Sequence, residues 1–269
     1  MNKTVIITGG SSGIGKATAQ LFANQGYRVY ELSRRDVNPN DNPNQEQGTI
    51  THIKCDVTNP EACRQAVAQM DLTSLEGGLI LISNAGMGIS GAVEFTKPED
   101  ARRQMDVNFM GAVNITQAVL PVMRQQRLGT IIYVSSVMGQ YGLPFQAFYS
   151  ASKFAINGFA QALTNEVRPF GIKVAVLMPG DVKTGFTDAR KKELLGADTY
   201  PHMQKAVATM EHDEQHGIAP ERMAKKLLAL AESKNPEPTS TVGLMYKVFL
   251  FLGRVFPQRL INYVIGKMY

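Results

Sequence analysis

The sequence predicts an α/β chain built as one doubly wound unit, with a parallel sheet flanked by helices on both faces. Two observations carry this. Six short apolar runs of strand length recur along the chain, and helical stretches separate most of them. Such alternation gives a parallel sheet covered on both sides, whose buried strands read as unbroken apolar runs. No linker divides the 269 residues, and a 44% hydrophobic content supplies an ample core.

The elements follow in order. Thr4–Thr8 (TVIIT) is a β-branched run and reads as a buried strand. A Gly/Ser turn leads into a helix from about Ile14 to Gln25, which Gly26 stops. Arg28–Ser33 (RVYELS) is the second strand. Thr49–Lys54, Leu79–Ser83, Thr130–Ser135 and Lys173–Met178 are the other four. Helices are expected over about Pro60–Leu72, Lys97–Gln126, Tyr149–Pro169 and Pro220–Ser233. The Asn/Pro-rich stretch Asp36–Gly48 is expected to be a loop, because it has no apolar period and carries two prolines. The polar insertion over about 185–217 is read as a lid, since long insertions in compact domains commonly cover a site.

Charge and cysteine content narrow the function classes. The net charge is +5, but no acidic residue follows Glu237, whereas Lys247, Arg254, Arg259 and Lys267 do. Without those four, 24 basic residues face 23 acidic ones. The body therefore carries no basic footprint for nucleic acid. Cys55 and Cys63 are too few for a disulfide framework, so a reduced, cytoplasmic setting is expected. No secretory signal and no metal-ligand set is expected.

The turn Thr8-Gly9-Gly10-Ser11-Ser12-Gly13-Ile14-Gly15 follows the first strand and opens the first helix. Glycines let the backbone approach a pyrophosphate, and the helix N-terminus offers free N–H groups. The turn therefore predicts dinucleotide binding. The second strand ends Leu32-Ser33-Arg34-Arg35. Guanidiniums there suit the 2′-phosphate of NADP, whereas a carboxylate would suit the ribose of NAD, so NADP(H) is expected over NAD(H).

The ordered set of motifs from Thr4 to about Thr184 resembles the short-chain dehydrogenase/reductase family, a Rossmann-type fold. Gly9, Ser11, Ser12, Gly13, Ile14 and Gly15 match its TGxxxGxG turn. Asp56-Val57 matches the pair that holds adenine, and Asn84-Ala85-Gly86 matches NAG. Asn108 stands at the mid-helix asparagine, Ser136 at the catalytic serine, and Tyr149 with Lys153 at YxxxK. Pro179, Gly180, Val182 and Thr184 match the PGxVxT turn against the nicotinamide amide. Ser83 departs from the commoner NNAG, and the Asp36–Gly48 loop replaces a helix usual in the family. The local sequence looks most like the branch with 17β-hydroxysteroid and retinol dehydrogenases.

The resemblance implies a hydride transfer. Tyr149 and Lys153 are four residues apart and share a helix face. A lysine ammonium beside a phenol favours phenolate, so Tyr149 is expected to titrate below the usual value of about 10. Such a phenol exchanges a proton with a carbonyl or alcohol oxygen. Ser136 would hydrogen-bond that oxygen; Ser135 is the weaker candidate, because strand residues alternate faces. Lys153 would also hold ribose hydroxyls, and Asn108 a water that relays protons. Family geometry places Met87, Met138, Phe145 and Phe186 at the substrate, with Met203 or Met210 from the lid. That apolar wall suits a hydrophobic ketone, aldehyde or alcohol, steroid-, retinoid- or lipid-like.

The tail, about 238–269, is apolar and basic. After Pro257, Leu260, Ile261, Val264, Ile265 and Met268 fall on one helix face. Such a helix packs on the domain, enters an interface, or lies peripherally on a membrane. A homodimer or homotetramer is expected. The competing readings are a 3-oxoacyl thioester reductase, which shares the catalytic set, and a nonenzymatic NADP-binding redox sensor. The presence of both Tyr149 and Lys153 argues against the sensor. Epimerases and dehydratases on this fold carry a larger C-terminal domain than the chain after Thr184 supplies.

Overall fold

The computed structural model describes residues 3–36, 48–72, 75, 77–193 and 195–269. Among them, seven strands form one parallel sheet. These are β1 (Thr4–Thr8), β2 (Arg28–Ser33), β3 (Thr49–Lys54), β4 (Leu79–Ser83), β6 (Gly129–Val134), β7 (Ile172–Leu177) and β9 (Thr239–Ser240). Their order across the sheet is β3-β2-β1-β4-β6-β7-β9. β5 (Ile89–Ser90) and β8 (Lys191–Lys192) pair separately. The helices are α1 (Gly13–Asn24), α2 (Pro60–Ala68), α3 (Pro98–Met105), α4 (Gly111–Gln126), α5 (Ala147–Val167), α6 (Phe186–Ala189), α7 (Met203–Gln215), α8 (Pro220–Glu232), α9 (Leu244–Val255) and α10 (Gln258–Met268).

Strand alternation sorts the core onto two faces. Val5 and Ile7 of β1 pack with Phe22 of α1 and with Leu227 and Leu230 of α8. Ile6 between them joins the opposite cluster, with Ile115 and Val119 of α4 and Ile156 and Leu163 of α5. A strand covered on both faces has no polar side to show, so TVIIT, LILIS and GTIIYV are buried throughout. Edge strand β3 is the exception, and its residues alternate between exposed and covered.

Strands predicted from apolar runs coincide with the observed ones to within a residue. Helices differ more. The stretch runs as unbroken helical backbone over 98–126, but a π-helical turn, Asp106–Met110, interrupts its α geometry between α3 and α4. Within it the Asn108 amide binds the Met87 backbone at both N–H and C=O, which fixes the wide turn. α2 ends at Ala68, before the expected Leu72; its start is set by Asn59, whose side chain accepts from Glu61 and Ala62 N–H, and by Pro60 at the first position. The segment read as a lid contains α6, β8 and α7. Most of the expected Asp36–Gly48 loop lies outside the described residues.

The chain winds β1→β2→β3 to one side and then returns through β4 to the other. The switch point therefore falls between β1 and β4, and their carboxyl ends open a crevice. Across it lie α6 and α7.

Candidate active site

The crevice is lined by the ends of six strands. Gly9 follows β1, Ser33 and Arg34 end and follow β2, and Cys55 follows β3. Asn84 follows β4, Ser135 and Ser136 follow β6, and Pro179 through Val182 follow β7.

The phosphate turn is shaped by what lies against it. Gly9 and Gly13 have positive φ, +69° and +54°, where an L side chain is strained. A β-carbon on Gly15 would lie 2.2 Å from the Gly9 carbonyl oxygen and 2.7 Å from Asn84 Nδ2. That amide donates to the Thr8 and Gly9 carbonyls at 3.1 and 3.2 Å, and Thr8 Oγ1 accepts from the Asn84 and Ala85 N–H groups. Asn84 thus fastens the end of β4 to the turn. Gly15 is part of this packing and does not line the crevice. Ser12 caps α1 without a side-chain hydrogen bond, and no acidic residue occupies the first turn. The helix presents its N–H groups and positive end to the crevice, a fit for a pyrophosphate.

Arg34 and Arg35 are exposed at the tip of β2 and both line the crevice. Asp36 pairs with Lys54 and not with either arginine. The strand does carry a carboxylate, Glu31, which the tip-of-strand reading passed over. It is buried beneath Gly10 and accepts from His52 Nδ1 at 2.6 Å and Ser33 Oγ at 3.3 Å. Asp56 accepts from Thr58 N–H and hydroxyl, and the Val57 carbonyl accepts from Asn114. Asp56 and Val57 both line one end of the crevice, and Thr184 packs on Gly13, closing the other.

The structure brings the catalytic candidates together. Tyr149 and Lys153 lie one turn apart on α5, and Lys153 Nζ sits 5.5 Å from the Tyr149 ring centroid. Lys153 is 4% exposed and donates to the Val134 carbonyl at 3.0 Å. Ser136, extended after β6, donates to the Pro179 carbonyl at 3.5 Å, accepts from Met138 N–H, and lies close enough to Tyr149 to act on its phenol. Ser135 instead donates to the Lys153 backbone carbonyl, as strand alternation predicts. Asn108 is fully buried; besides Met87 it donates to Ser152 Oγ at 3.0 Å. A β-carbon on Gly86 would lie 3.5 Å from Asn108 Oδ1 and 3.9 Å from Lys153 Nζ, so both groups border one small space.

The electrostatics correct one expectation. Burial pushes the Tyr149 phenol up to about 12; Glu214 acts the same way, while Arg190 and Ser136 oppose it. Burial also lowers Lys153 to about 8. Desolvation penalises both charged forms and outweighs the attraction that was expected to depress the phenol. Tyr149 is therefore held protonated at neutral pH.

The substrate side differs in part from the sequence reading. Met138 and Phe186 line the crevice, and the Phe186 ring lies 5.9 Å from that of Tyr149. Met87 and Phe145 are not among the lining residues. Met87 is held by Asn108, and Phe145, at φ +59°, packs with Tyr200 below the lid. Met203 and Met210 are buried inside the lid. Sequence reasoning missed Asp181, Thr187 and Glu214, which do line the site. Asp181 fills the variable position of the Pro179–Thr184 turn, whereas Thr187 and Glu214 stand outside every motif, and only the fold of α6 and α7 brings them inward.

The tail straps the site from outside. Tyr246 of α9 lies on Gly180, and its hydroxyl donates to the Asp181 carboxylate at 2.6 Å. The Tyr141 hydroxyl donates to the Phe249 carbonyl. Ile261 and Ile265 of α10 are buried, but Leu260, Val264 and Met268, expected on the same face, are exposed. Among the described residues no helix is long and apolar enough to cross a membrane.

Comparison with known proteins agrees with this geometry. Residues 3–194 match the family model for short chain dehydrogenases. A 3-ketodihydrosphingosine reductase from Bacteroides thetaiotaomicron is 40% identical over 270 residues, covering 98% of this chain and 97% of that protein. Retinol dehydrogenase 8 of Bos taurus is 30% identical, covering 95% of this chain and 86% of its own. A short-chain dehydrogenase structure from Streptomyces avermitilis superposes with a TM-score of 0.81 at 26% identity, covering 99% of this chain and 96% of that one. The chain belongs to the short-chain dehydrogenase family, as an oxidoreductase with a nicotinamide-cofactor fold and retinol dehydrogenase-like relatives.

Proposed function

We propose that this protein is an NADP(H)-dependent reductase of a long-chain, lipid-like ketone, with 3-keto sphingoid bases as the substrate class. The observation that carries the chemistry is the convergence of Ser136, Tyr149 and Lys153 in one crevice, with Lys153 one helical turn from Tyr149 and 5.5 Å from its ring. The similarity to a 3-ketodihydrosphingosine reductase over nearly the whole chain supports the substrate class. The exposed guanidiniums of Arg34 and Arg35 support NADP(H).

When bound, the dinucleotide supplies the hydride. The chain's own residues do the rest. The Gly9–Gly15 turn and the α1 N-terminus would hold the pyrophosphate, Arg34 and Arg35 the 2′-phosphate, and Asp56 with Val57 the adenine. Ser136 Oγ donates to the carbonyl oxygen and polarises it. Tyr149 passes its proton to that oxygen as negative charge develops there. Lys153, beside the ring, restores the proton and holds ribose hydroxyls, and Asn108 borders the route to solvent. Residues 185–217 act as the substrate lid, with Met138 and Phe186 against the chain of the substrate; Met87 and Phe145 support that wall from behind.

The outer face of α9 and α10 extends the reading. Leu244, Met245, Phe251 and Tyr263 are all more than 60% exposed, and the four tail cations stand exposed among them. Apolar groups with cations and no carboxylate suit an anionic lipid surface. We further propose a cytoplasmic homodimer or homotetramer attached peripherally to the membrane through this face.

Purified protein with NADPH or NADH, assayed against a 3-keto sphingoid base, retinal, a steroid ketone, a 3-oxoacyl thioester and small polar ketones, tests the function. NADPH-linked turnover highest on the long-chain ketone is expected. Preference for small polar carbonyls contradicts the reading, and preference for the thioester selects the 3-oxoacyl reductase instead.

A further inference from the structure

The lid places charge beside the reacting centre in a wall otherwise made of Met138, Phe186 and Ala189. Glu214, on the last turn of α7, faces the crevice. Its carboxylate accepts from Thr187 Oγ1 at 2.6 Å and from Arg190 Nη2. The Arg190 side chain is 1% exposed, and its Nε and Nη1 find no acceptor among the described residues. The guanidinium lies 5.7 Å from the Phe186 ring centroid, and that ring faces Tyr149. Glu214 and Arg190 are near enough to Tyr149 to push its phenol in opposite directions. Asp181 lines the same crevice.

A carboxylate that accepts one hydrogen bond per oxygen retains lone pairs. Glu214 therefore offers the crevice an acceptor with charge to spare, and Arg190, buried behind it, holds that carboxylate in place. A group that matches it is an ammonium.

We infer that Thr187, Arg190 and Glu214 form a polar subsite beside Tyr149 that selects ketones carrying an amine on the carbon adjoining the carbonyl. The ammonium donates to Glu214, and Thr187 and Arg190 hold that carboxylate in place. The inference rests on the long-chain ketone reading above and deepens it: the apolar wall takes the chain, and the cluster takes the head.

The test compares a long-chain 2-amino-1-hydroxy-3-ketone with the chain-matched 3-ketone lacking the amine, in wild type and Glu214→Gln. The wild type is expected to favour the amino ketone in kcat/KM by roughly 10- to 100-fold, and the variant to bring that ratio toward one. A wild-type ratio near one overturns the subsite and leaves the ketone-reductase reading standing. So does a ratio that survives in Glu214→Gln. Turnover of neither ketone removes both. Should the variant not fold, thermal shift of the wild type with NADP⁺ decides: the saturated amino diol should raise Tm well beyond its amine-free counterpart, and equal shifts overturn the subsite.

Discussion

One wall of the crevice is made of backbone and the other of side chains. On the cofactor wall, Gly9, Gly13 and Gly15 bring main chain against main chain, and Asn84 uses its amide to tie β4 to the turn. A dinucleotide is the same for every member of a fold, so this wall can be built from groups that every residue has. On the lid wall, Phe186, Thr187 and Glu214 present their side chains, and Arg190 is buried behind them to orient the carboxylate. Substrates vary, and a wall of side chains is where a difference between them can be read. Between the two, α5 presents Tyr149 to both. The contrast teaches that mutations should separate by wall: chemistry lost at α5, cofactor choice at the tip of β2, partner or substrate choice on the lid and tail.

The largest expected effect breaks the shared element. Tyr149→Phe should lower kcat by about 10²- to 10⁴-fold, the range of a positioned acid, with NADPH affinity retained by fluorescence titration. Near-normal turnover would remove Tyr149 from the chemistry. Next comes a change confined to the cofactor wall. Arg34→Ala with Arg35→Ala should raise the KM for NADPH by about tenfold to a hundredfold, as expected for charge-assisted bonds to a phosphate, and leave NADH kinetics nearly as they were. Equal loss with both cofactors would mean the arginines do not read the 2′-phosphate. The smallest effect belongs to the tail. Replacing Lys247, Arg254, Arg259 and Lys267 with Ser should release the protein from anionic vesicles in a co-sedimentation assay, each cation contributing about 1 kcal/mol at low salt. Unchanged partitioning would remove the membrane contact. Substitution is a sharper probe than truncating the tail, because truncation also strips Tyr246 from Gly180 and Asp181.

Legibility followed range. TVIIT, LILIS and GTIIYV announced their strands because a strand buried on both faces must be apolar at every position. The phosphate turn was legible for a similar reason, since few residues other than glycine fit at Gly9 and Gly15. The π-turn at Asn108 was not legible: its cause is a contact with Met87, 21 residues away, and helix propensity carries no trace of it. The Leu260–Met268 periodicity predicted a helix correctly but misassigned its inward side. Which residues turn inward depends on where α9 lets α10 settle, and only Ile261 and Ile265 meet the core.

The sequence by itself determined the sheet, the phosphate turn, and the spacing that puts Tyr149 and Lys153 on one helix face. Those features depend on local periodicity and on steric limits that act within a few residues. Only the tertiary structure decided the sign of the Tyr149 shift, the exclusion of Met87 and Phe145 from the crevice, and the arrival of Glu214 and Arg190 beside the phenol. Each of these depends on desolvation or on contacts between segments distant in the chain. Burial raises the phenol whatever its helical neighbour, and no spacing rule reports how much water the folded chain has removed from it.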